Sequence, residues 1–223
     1  MKKLLATTTA VAGLALAFAA PALAVPLTGT FLVNVYQGNN SSHSQTDATQ
    51  QALPSAIAAI TAQGTYISPP FTYTGSIDLT APTEPTSLSA FFLSAGGVTS
   101  IGLPNTPLSS GNFTNETLIK FTFTTGAIAG NILHDDGISL FASGNTTAPI
   151  LDSSAPTSVV STPFALAGGT YDLYYSEVNG APARLTFDVT RGNPTTVPEP
   201  VSMALIGAGL LGVGLMRRTS RQG

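Results

Sequence analysis

The stretch NILHDDGISLF, residues 131–141, holds two adjacent aspartates, Asp135 and Asp136, between apolar runs that are typical of β-strands. Adjacent strand residues point to opposite faces of a sheet, so two such carboxylates do not share a site in a regular strand. Asp136-Gly137 is a common hairpin sequence, and one interpretation places both aspartates in a solvated turn. In the other, a bulge or a cis peptide bond kinks the backbone and brings both carboxylates to one hard cation such as Ca²⁺.

The segments around this stretch alternate apolar and polar residues with the period of two that predicts strands. This pattern occurs in residues 28–38, 116–126, 169–178 and 183–192, and further strands are predicted in residues 64–79 and 87–97. The alternation predicts that three sets of side chains each share one face of a strand. These sets are Ile119, Phe121 and Phe123; Tyr171, Leu173 and Tyr175; and Leu185, Phe187 and Val189.

The predicted fold class is all-β, a β-sandwich with one short helical insertion, because short strands and turn residues recur along the chain. The insertion is residues 44–62, which Pro54 is expected to split or kink. The predicted domain spans residues 25–192 and has no convincing internal repeat. In particular, no regular Thr-x-Thr ladder of the kind that suits a flat ice-binding face is evident.

Charge and cysteine content exclude several functions. Residues 25–196 contain three basic and ten acidic side chains, a net charge of −7, so a nucleic-acid partner is not expected. The chain has no cysteine, which excludes thiol catalysis and cysteine metal sites. Oxygen ligands are abundant, and they suit Ca²⁺ better than zinc. We find no Gly-x-Ser-x-Gly elbow, phosphate loop or dinucleotide fingerprint, and we expect no enzymatic activity.

The two ends of the chain are predicted to be processing segments. Residues 1–24 combine Lys2 and Lys3, an uncharged apolar run and Ala22-Leu23-Ala24, which is typical of a signal peptide cut by signal peptidase. A permanent membrane anchor is the alternative. Residues 193–200 form a Pro/Thr spacer that ends in Pro198-Glu199-Pro200. Residues 201–223 hold a short apolar transmembrane helix followed by a basic cluster that begins with Arg217 and Arg218.

This order of Pro-Glu-Pro, short apolar helix and basic cluster resembles the PEP-CTERM sorting tail of Gram-negative bacteria. The same tail is also labelled an ice-binding protein C-terminal domain, a label that describes the tail and not an activity. The resemblance implies an exosortase partner, transient residence in the inner membrane, and release or transfer to the cell surface, often with exopolysaccharide and biofilm formation. A generic tail anchor is the alternative.

A second resemblance covers about residues 120–189. HDDGISLF, followed by AGGTYDLYYSEVNGAPARL, resembles the lectin-like domain of anthrax protective antigen, which also occurs in flocculins and adhesins. It implies that Asp135 and Asp136, joined by a cis peptide bond, bind Ca²⁺ with Asn179 and that the ion holds sugar hydroxyls. Glu177 is either a further ligand-binding residue or a polar-face residue of its strand. Tyr174 or Tyr175 either stacks on a sugar or belongs to the core.

The expected function is therefore that of an exported, exosortase-sorted protein of the cell surface or extracellular matrix that binds exopolysaccharide through a calcium site. One alternative is a purely structural biofilm-matrix sandwich without a ligand site. The other is a glycan hydrolase whose paired acids the sequence does not identify.

Overall fold

The computed structural model describes residues 24–39, 44–63, 65–83, 86–95 and 102–192 of the 223-residue chain. The predicted signal peptide up to residue 23, the spacer at 193–200 and the sorting helix at 201–223 lie outside the described residues. Within the described ranges, no helix is both long enough and apolar enough to cross a membrane.

The described elements are mostly strands. In chain order the strands are β1 (Val25–Pro26), β2 (Thr28–Asn39), β3 (Tyr66–Ile67), β4 (Phe71–Ser76), β5 (Asp78–Ala81), β6 (Asn115–Thr125), β7 (Ile128–Asp135), β8 (Ile138–Ala142), β9 (Leu151–Ser153), β10 (Val160–Leu166), β11 (Gly169–Glu177) and β12 (Ala183–Gly192). The α-helices are α1 (Ala56–Gln63) and α2 (Leu88–Leu93), and short 3₁₀ turns span Ala48–Gln50 and Gly111–Phe113.

These strands form two antiparallel sheets. The five-stranded sheet has the order β1-β12-β7-β10, with β5 also pairing with β12. The seven-stranded sheet has the order β3-β2-β6-β11-β8-β9, with β4 also pairing with β2. The two sheets bury their inner faces against each other, as in a β-sandwich. The predicted fold class is confirmed.

The period of two in the sequence explains which side chains form the core. Phe121 and Phe123 of β6, Leu173 of β11 and Phe187 of β12 all belong to one buried apolar cluster. The ring of Phe123 packs edge-on against the ring of Phe187, with 5.8 Å between their centroids, and so joins the two sheets. The three predicted strand faces therefore lie in the core, where burial of aromatic and branched side chains drives folding.

The predicted helical insertion is broken at Pro54, as expected. A 3₁₀ turn at Ala48–Gln50 precedes the proline and α1 begins at Ala56 after it. Residues of this segment pack on the outer face of the seven-stranded sheet, where Ile60 lies in a small apolar cluster with Leu118 and Phe141.

The prediction of a strand in residues 87–97 is wrong, because residues 88–93 form helix α2. The side chain of Ser87 caps this helix by accepting a hydrogen bond of 3.2 Å from the backbone N–H of Ala90. Leu88, Phe91 and Phe92 follow the helical spacing and are buried in the main core. The structure therefore has two α-helices among its described residues, where one was predicted.

Candidate functional site

The segment from Asp135 to Gly137 is the corner at which the chain passes from one sheet to the other. β7 ends at Asp135 in the five-stranded sheet, and β8 begins at Ile138 in the seven-stranded sheet. The peptide bond between Asp135 and Asp136 is cis. The hairpin interpretation is wrong, because β7 pairs with β10 and β12 whereas β8 pairs with β9 and β11.

Gly137 is required where the corner meets the neighbouring chain. A Cβ atom at this position would collide with the backbone oxygen of Ser154 and would lie 2.9 Å from Ser176 Oγ. The backbone N–H of Ser176 donates a hydrogen bond of 2.9 Å to the carbonyl oxygen of Gly137. The corner is thus packed closely against β11 and the segment after β9, and only glycine fits.

Backbone N–H groups hold the carboxylate of Asp136 in place. Its Oδ1 accepts a hydrogen bond of 3.1 Å from the N–H of Thr157, and its Oδ2 accepts one of 3.0 Å from the N–H of Val178. A carboxylate has about four lone-pair positions, so both oxygens keep capacity for a further ligand. Two segments distant in sequence therefore converge on this one side chain.

Both carboxylates line one cavity of about 340 Å³. Asn179, in the loop between β11 and β12, lines the same cavity. The lining also includes two apolar residues, Phe113 and Pro182. The structure thus brings Asp135, Asp136 and Asn179 to one space, although Asn179 lies far from the pair in the sequence.

Among the described residues, no basic side chain neutralises the two aspartates. Burial, and then the charge of Asp136, raises the pKa of Asp135 to about 6. Burial also raises the pKa of Asp136, although the hydrogen bonds from backbone N–H groups oppose the rise. Arg184 lies opposite Asp135 in the β7–β12 ladder, but its Nε donates to Thr186 Oγ1 at 3.3 Å. Among the described side chains, no Lys or Arg nitrogen lies within 4.0 Å of either carboxylate.

His134 is engaged locally. Its Nδ1 lies 2.5 Å from the carbonyl oxygen of Asp136, and its Nε2 lies 2.8 Å from Thr162 Oγ1. Burial lowers the pKa of this imidazole and so favours its neutral form. Because a carbonyl only accepts, Nδ1–H donates to Asp136 and Nε2 accepts from the Thr162 hydroxyl. Both ring nitrogens are therefore occupied by hydrogen bonds within the corner.

The structure places Glu177 behind the pair and not in the cavity. Glu177 is fully buried, its Oε1 accepts a hydrogen bond of 3.0 Å from Ser109 Oγ, and its Oε2 lies 2.8 Å from the Tyr175 hydroxyl. That hydroxyl is also 2.5 Å from the carbonyl oxygen of Asp135. Glu177 thus supports the corner from inside and is not among the residues that line the cavity.

Neither tyrosine that was considered for sugar stacking faces the cavity. Tyr174 packs edge-on against Phe141 in the outer apolar cluster, and Tyr175 stacks on Phe91 in the main core. Both rings are buried, so they belong to the core alternative.

The side chains in the cavity suit a hard cation, although they do not form a complete cage. No three of the described His, Asp and Glu side chains cluster as a metal site. Two carboxylates and one amide supply oxygen donors, and Ca²⁺ takes six to eight of these. The remaining positions suit water or hydroxyl groups of a ligand, for which the cavity provides room.

Sequence reasoning missed Phe113, the aromatic side chain of the cavity wall. It lies in GNFTN, residues 111–115, between predicted strands. A single aromatic residue inside a polar turn was the available signal. Its position next to the aspartates depends on contacts between segments that are distant in sequence.

A sequence comparison supports the sorting tail. The model of the PEP-CTERM protein-sorting motif matches residues 196–218, which include Pro198, Glu199 and Pro200 together with Arg217 and Arg218. The resemblance of the tail to this motif is confirmed. The motif indicates export and sorting to the cell surface by an exosortase. The chain matches no curated protein sequence at a significant level.

Comparison with solved structures finds similar folds at low sequence identity. A PA14 sugar-binding domain from an RTX adhesin aligns over 74% of this chain and 100% of its own, with 15% identity and a TM-score of 0.45. The PA14 domain of the antifreeze protein MpAFP aligns over 77% and 88%, with 14% identity and a TM-score of 0.44. The GH31 α-xylosidase of Xanthomonas citri aligns over 80% and 16%, with 9% identity and a TM-score of 0.33. The chemistry of the cavity depends on the residues of this chain itself.

Proposed function

We propose that Asp135, Asp136 and Asn179 bind Ca²⁺ and that, through the ion, this exported protein binds hydroxyl groups of an extracellular polysaccharide. One observation carries the proposal. Two buried carboxylates that have no basic partner among the described side chains line a single open cavity, and Asn179 lines it with them. A bound Ca²⁺ neutralises this paired charge and presents open coordination positions to sugar hydroxyls.

The positions of the residues at the cavity support this role. Asp136 is held by the backbone N–H groups of Thr157 and Val178, so its carboxylate is oriented before any ligand arrives. Such preorganisation reduces the entropy that binding costs. Asn179 is exposed, in contrast to the two aspartates, and lies where its amide can meet a ligand that enters from solvent.

The sorting tail supports an extracellular partner. A protein that an exosortase processes at the inner membrane and transfers to the cell surface meets secreted polysaccharide there. The proposed location after tail cleavage is the cell surface or the extracellular matrix, and the proposed setting is exopolysaccharide in a biofilm. The excess of acidic residues in residues 25–196 favours a neutral polymer bound through a cation over direct binding of an anionic polymer.

The same geometry favours binding over catalysis. Glycoside hydrolysis by two carboxyl groups requires them to flank the scissile bond, about 5 Å or more apart. Asp135 and Asp136 are consecutive residues at one corner of the cavity, and Glu177, which lies behind them, is enclosed in the core.

Calorimetric titration of the exported protein with Ca²⁺ tests the proposal. We expect binding heat for the wild type, loss of that heat for Asp135→Asn/Asp136→Asn, and at least about tenfold weaker binding for Asn179→Ala, because each change removes an oxygen donor. Asp188→Asn is the matched control, since it removes one carboxylate from β12 outside the cavity lining. The control should bind like the wild type.

The glycan part needs a separate measurement on the same proteins. Binding to a panel of neutral polysaccharides should require Ca²⁺, disappear with EDTA and return when Ca²⁺ is restored. A wild type that gives no heat with Ca²⁺ contradicts the whole proposal. If the wild type binds Ca²⁺ but no polysaccharide, the ion has only a structural role and the glycan part of the proposal is wrong.

A further inference from the structure

The ring of Phe113 stands apart from every other described phenylalanine. The other nine, which are Phe31, Phe71, Phe91, Phe92, Phe121, Phe123, Phe141, Phe164 and Phe187, each pack against another aromatic ring in the described part of the chain. Phe113 is in none of those pairs and in neither apolar cluster, and it lines the cavity with Asp135 and Asp136. An aromatic residue that lines a polar cavity and is not packed in the core lacks part of the burial that usually stabilises such a residue.

The backbone at this position is also costly for phenylalanine. Asn112 and Phe113 have φ angles of 63° and 54°, in the left-handed region that favours glycine. Asparagine tolerates this region, but for a bulky side chain it is a true outlier. Local strain of this kind persists where the surrounding structure enforces it, and it often marks functional sites. The turn therefore presents the ring in a place where glycine is the more stable choice.

The turn is fixed from both sides. Ser110 and Asn115 form a β-bridge across its base, and Asn115 Nδ2 donates a hydrogen bond of 2.5 Å to Ser110 Oγ. The preceding residue, Ser109, accepts a hydrogen bond of 2.9 Å from the N–H of Gly180, next to Asn179. The phenylalanine turn and the asparagine loop are thus tied together beside the aspartate corner, so the ring and the three oxygen-bearing side chains keep a common geometry.

We propose that Phe113 is the sugar-stacking residue of this site and makes it select pyranose rings over open-chain polyols. This inference rests on the proposed Ca²⁺-dependent function. The polar side chains of the cavity recognise hydroxyl groups, which open-chain polyols and sugar rings both carry. A flat aromatic face adds attraction to the C–H face of a sugar ring, because its negative quadrupole meets polarised hydrogens. Flexible polyols present no such face.

The class of sugar ligand follows from the combination of a bound cation and an aromatic ring in one site. It is a neutral hexopyranose unit with a pair of neighbouring hydroxyl groups on one side and an unobstructed C–H face on the other. Pro156 and Pro182 line the cavity with Phe113, and none of the described lining residues is cationic, so the site offers no group for a carboxylated or phosphorylated sugar.

The test measures affinity, in Ca²⁺, for methyl pyranosides of mannose, galactose and glucose and for sorbitol, an open-chain polyol. For the pyranoside that the wild type binds best, Phe113→Ala should lose about tenfold in affinity while the affinity for sorbitol and for Ca²⁺ is unchanged. Phe113→Tyr, which keeps the aromatic face, should retain pyranoside binding. Leu32→Ala, which removes an exposed apolar side chain from β2 outside the cavity lining, is the control.

Phe113→Gly separates a functional role from a structural one. Because glycine adopts a positive φ without strain, this variant should unfold at a temperature no lower than the wild type, yet bind pyranosides as weakly as Phe113→Ala. Equal pyranoside affinity in the wild type and Phe113→Ala overturns this inference alone. A wild type that binds Ca²⁺ but no sugar overturns both this inference and the glycan part of the proposed function.

Discussion

Two buried acidic places in this molecule, the Asp135–Asp136 corner and Glu116 beside helix α1, show what distinguishes a candidate site from a single buried carboxyl group. Glu116 is 1% exposed, and its pKa is raised to about 7 by burial and then by the charge of Asp47. Its Oε2 accepts a hydrogen bond of 2.8 Å from Gln50 Nε2, and its buried Oε1 has no hydrogen-bond partner among the described atoms. By burial and raised pKa alone, the two groups look alike.

Their surroundings differ. Asp135, Asp136 and Asn179 line one cavity of about 340 Å³, whereas Glu116 lines a smaller cavity of about 190 Å³ where no other described lining residue is a carboxylate. A single acid in such a place is satisfied by a proton, since protonation removes its charge at modest cost. Two acids in contact with the same space repel each other, and one divalent cation neutralises both. A shared cavity, more than a raised pKa, therefore makes the corner the candidate site.

Substitution of the glycine next to each of the two places should give the largest difference in the free energy of unfolding. A Cβ at Gly137 collides with a backbone oxygen, that of Ser154, whereas a Cβ at Gly38 meets the ends of the Glu116 and Gln63 side chains. Because side chains move aside more easily than backbone, we expect Gly137→Ala to cost about 3 kcal/mol of unfolding free energy and Gly38→Ala about 1 kcal/mol. Urea unfolding of both variants measures this, and equal costs would show that the corner is no more tightly packed than the helix-covered site.

Calcium should raise the free energy of unfolding by binding at only one of the two places, the Asp135–Asp136 corner. At a free Ca²⁺ concentration about a hundredfold above its dissociation constant, the wild type should gain about 2.7 kcal/mol of unfolding free energy. Asp136→Asn should lose most of this gain, and Glu116→Gln should keep it in full. Thermal unfolding with Ca²⁺ and with EDTA makes the comparison. Loss of the gain in Glu116→Gln would mean that the ion binds at both groups or that they are coupled.

The pH dependence of stability should identify Glu116 as a proton site. Its folded pKa of about 7 lies above the ordinary value of 4.5, so the folded state binds the proton more tightly than the unfolded state. The resulting stability is fully present below pH 4.5 and is lost as the pH rises through 7. Between these limits the wild type should lose up to about 3 kcal/mol more than Glu116→Gln. Urea unfolding in EDTA at pH 5 and pH 8 checks this expectation, and parallel losses in both proteins would contradict it.

Much of the fold was predictable from local pattern. Alternation in β6, β11 and β12 identified the faces that carry Phe121, Leu173 and Phe187 into the core, because a strand with one buried face must repeat every second residue. Helix α2 was missed because its short apolar run also fits a strand. Ser87, a capping residue, was the local signal that distinguishes the two.

The site was predictable only in part. The Asp-Asp-Gly sequence and its resemblance to a lectin-like family led to Asp135, Asp136 and Asn179, and the structure places all three at one cavity. Local sequence did not decide between a hairpin and a shared corner, since Asp-Gly suits both. Glu177 was ambiguous for a different reason: it lies two residues after Tyr175 on the core face of β11, and the pattern does not say whether the end of that face meets a cavity or, as in this protein, is enclosed.

The sequence by itself determined the strand faces, the acidic character of residues 25–196 and the sorting tail, because each depends on residues that are close together in the chain. Only the tertiary structure decided that β7 and β8 belong to different sheets, that Phe113 lines the cavity with the aspartates and that Glu177 does not. The physical reason is that a period of two specifies which face of a strand is apolar but not which strand lies beside it. Pairing depends on how the whole set of faces packs, and the contents of the cavity follow from that pairing.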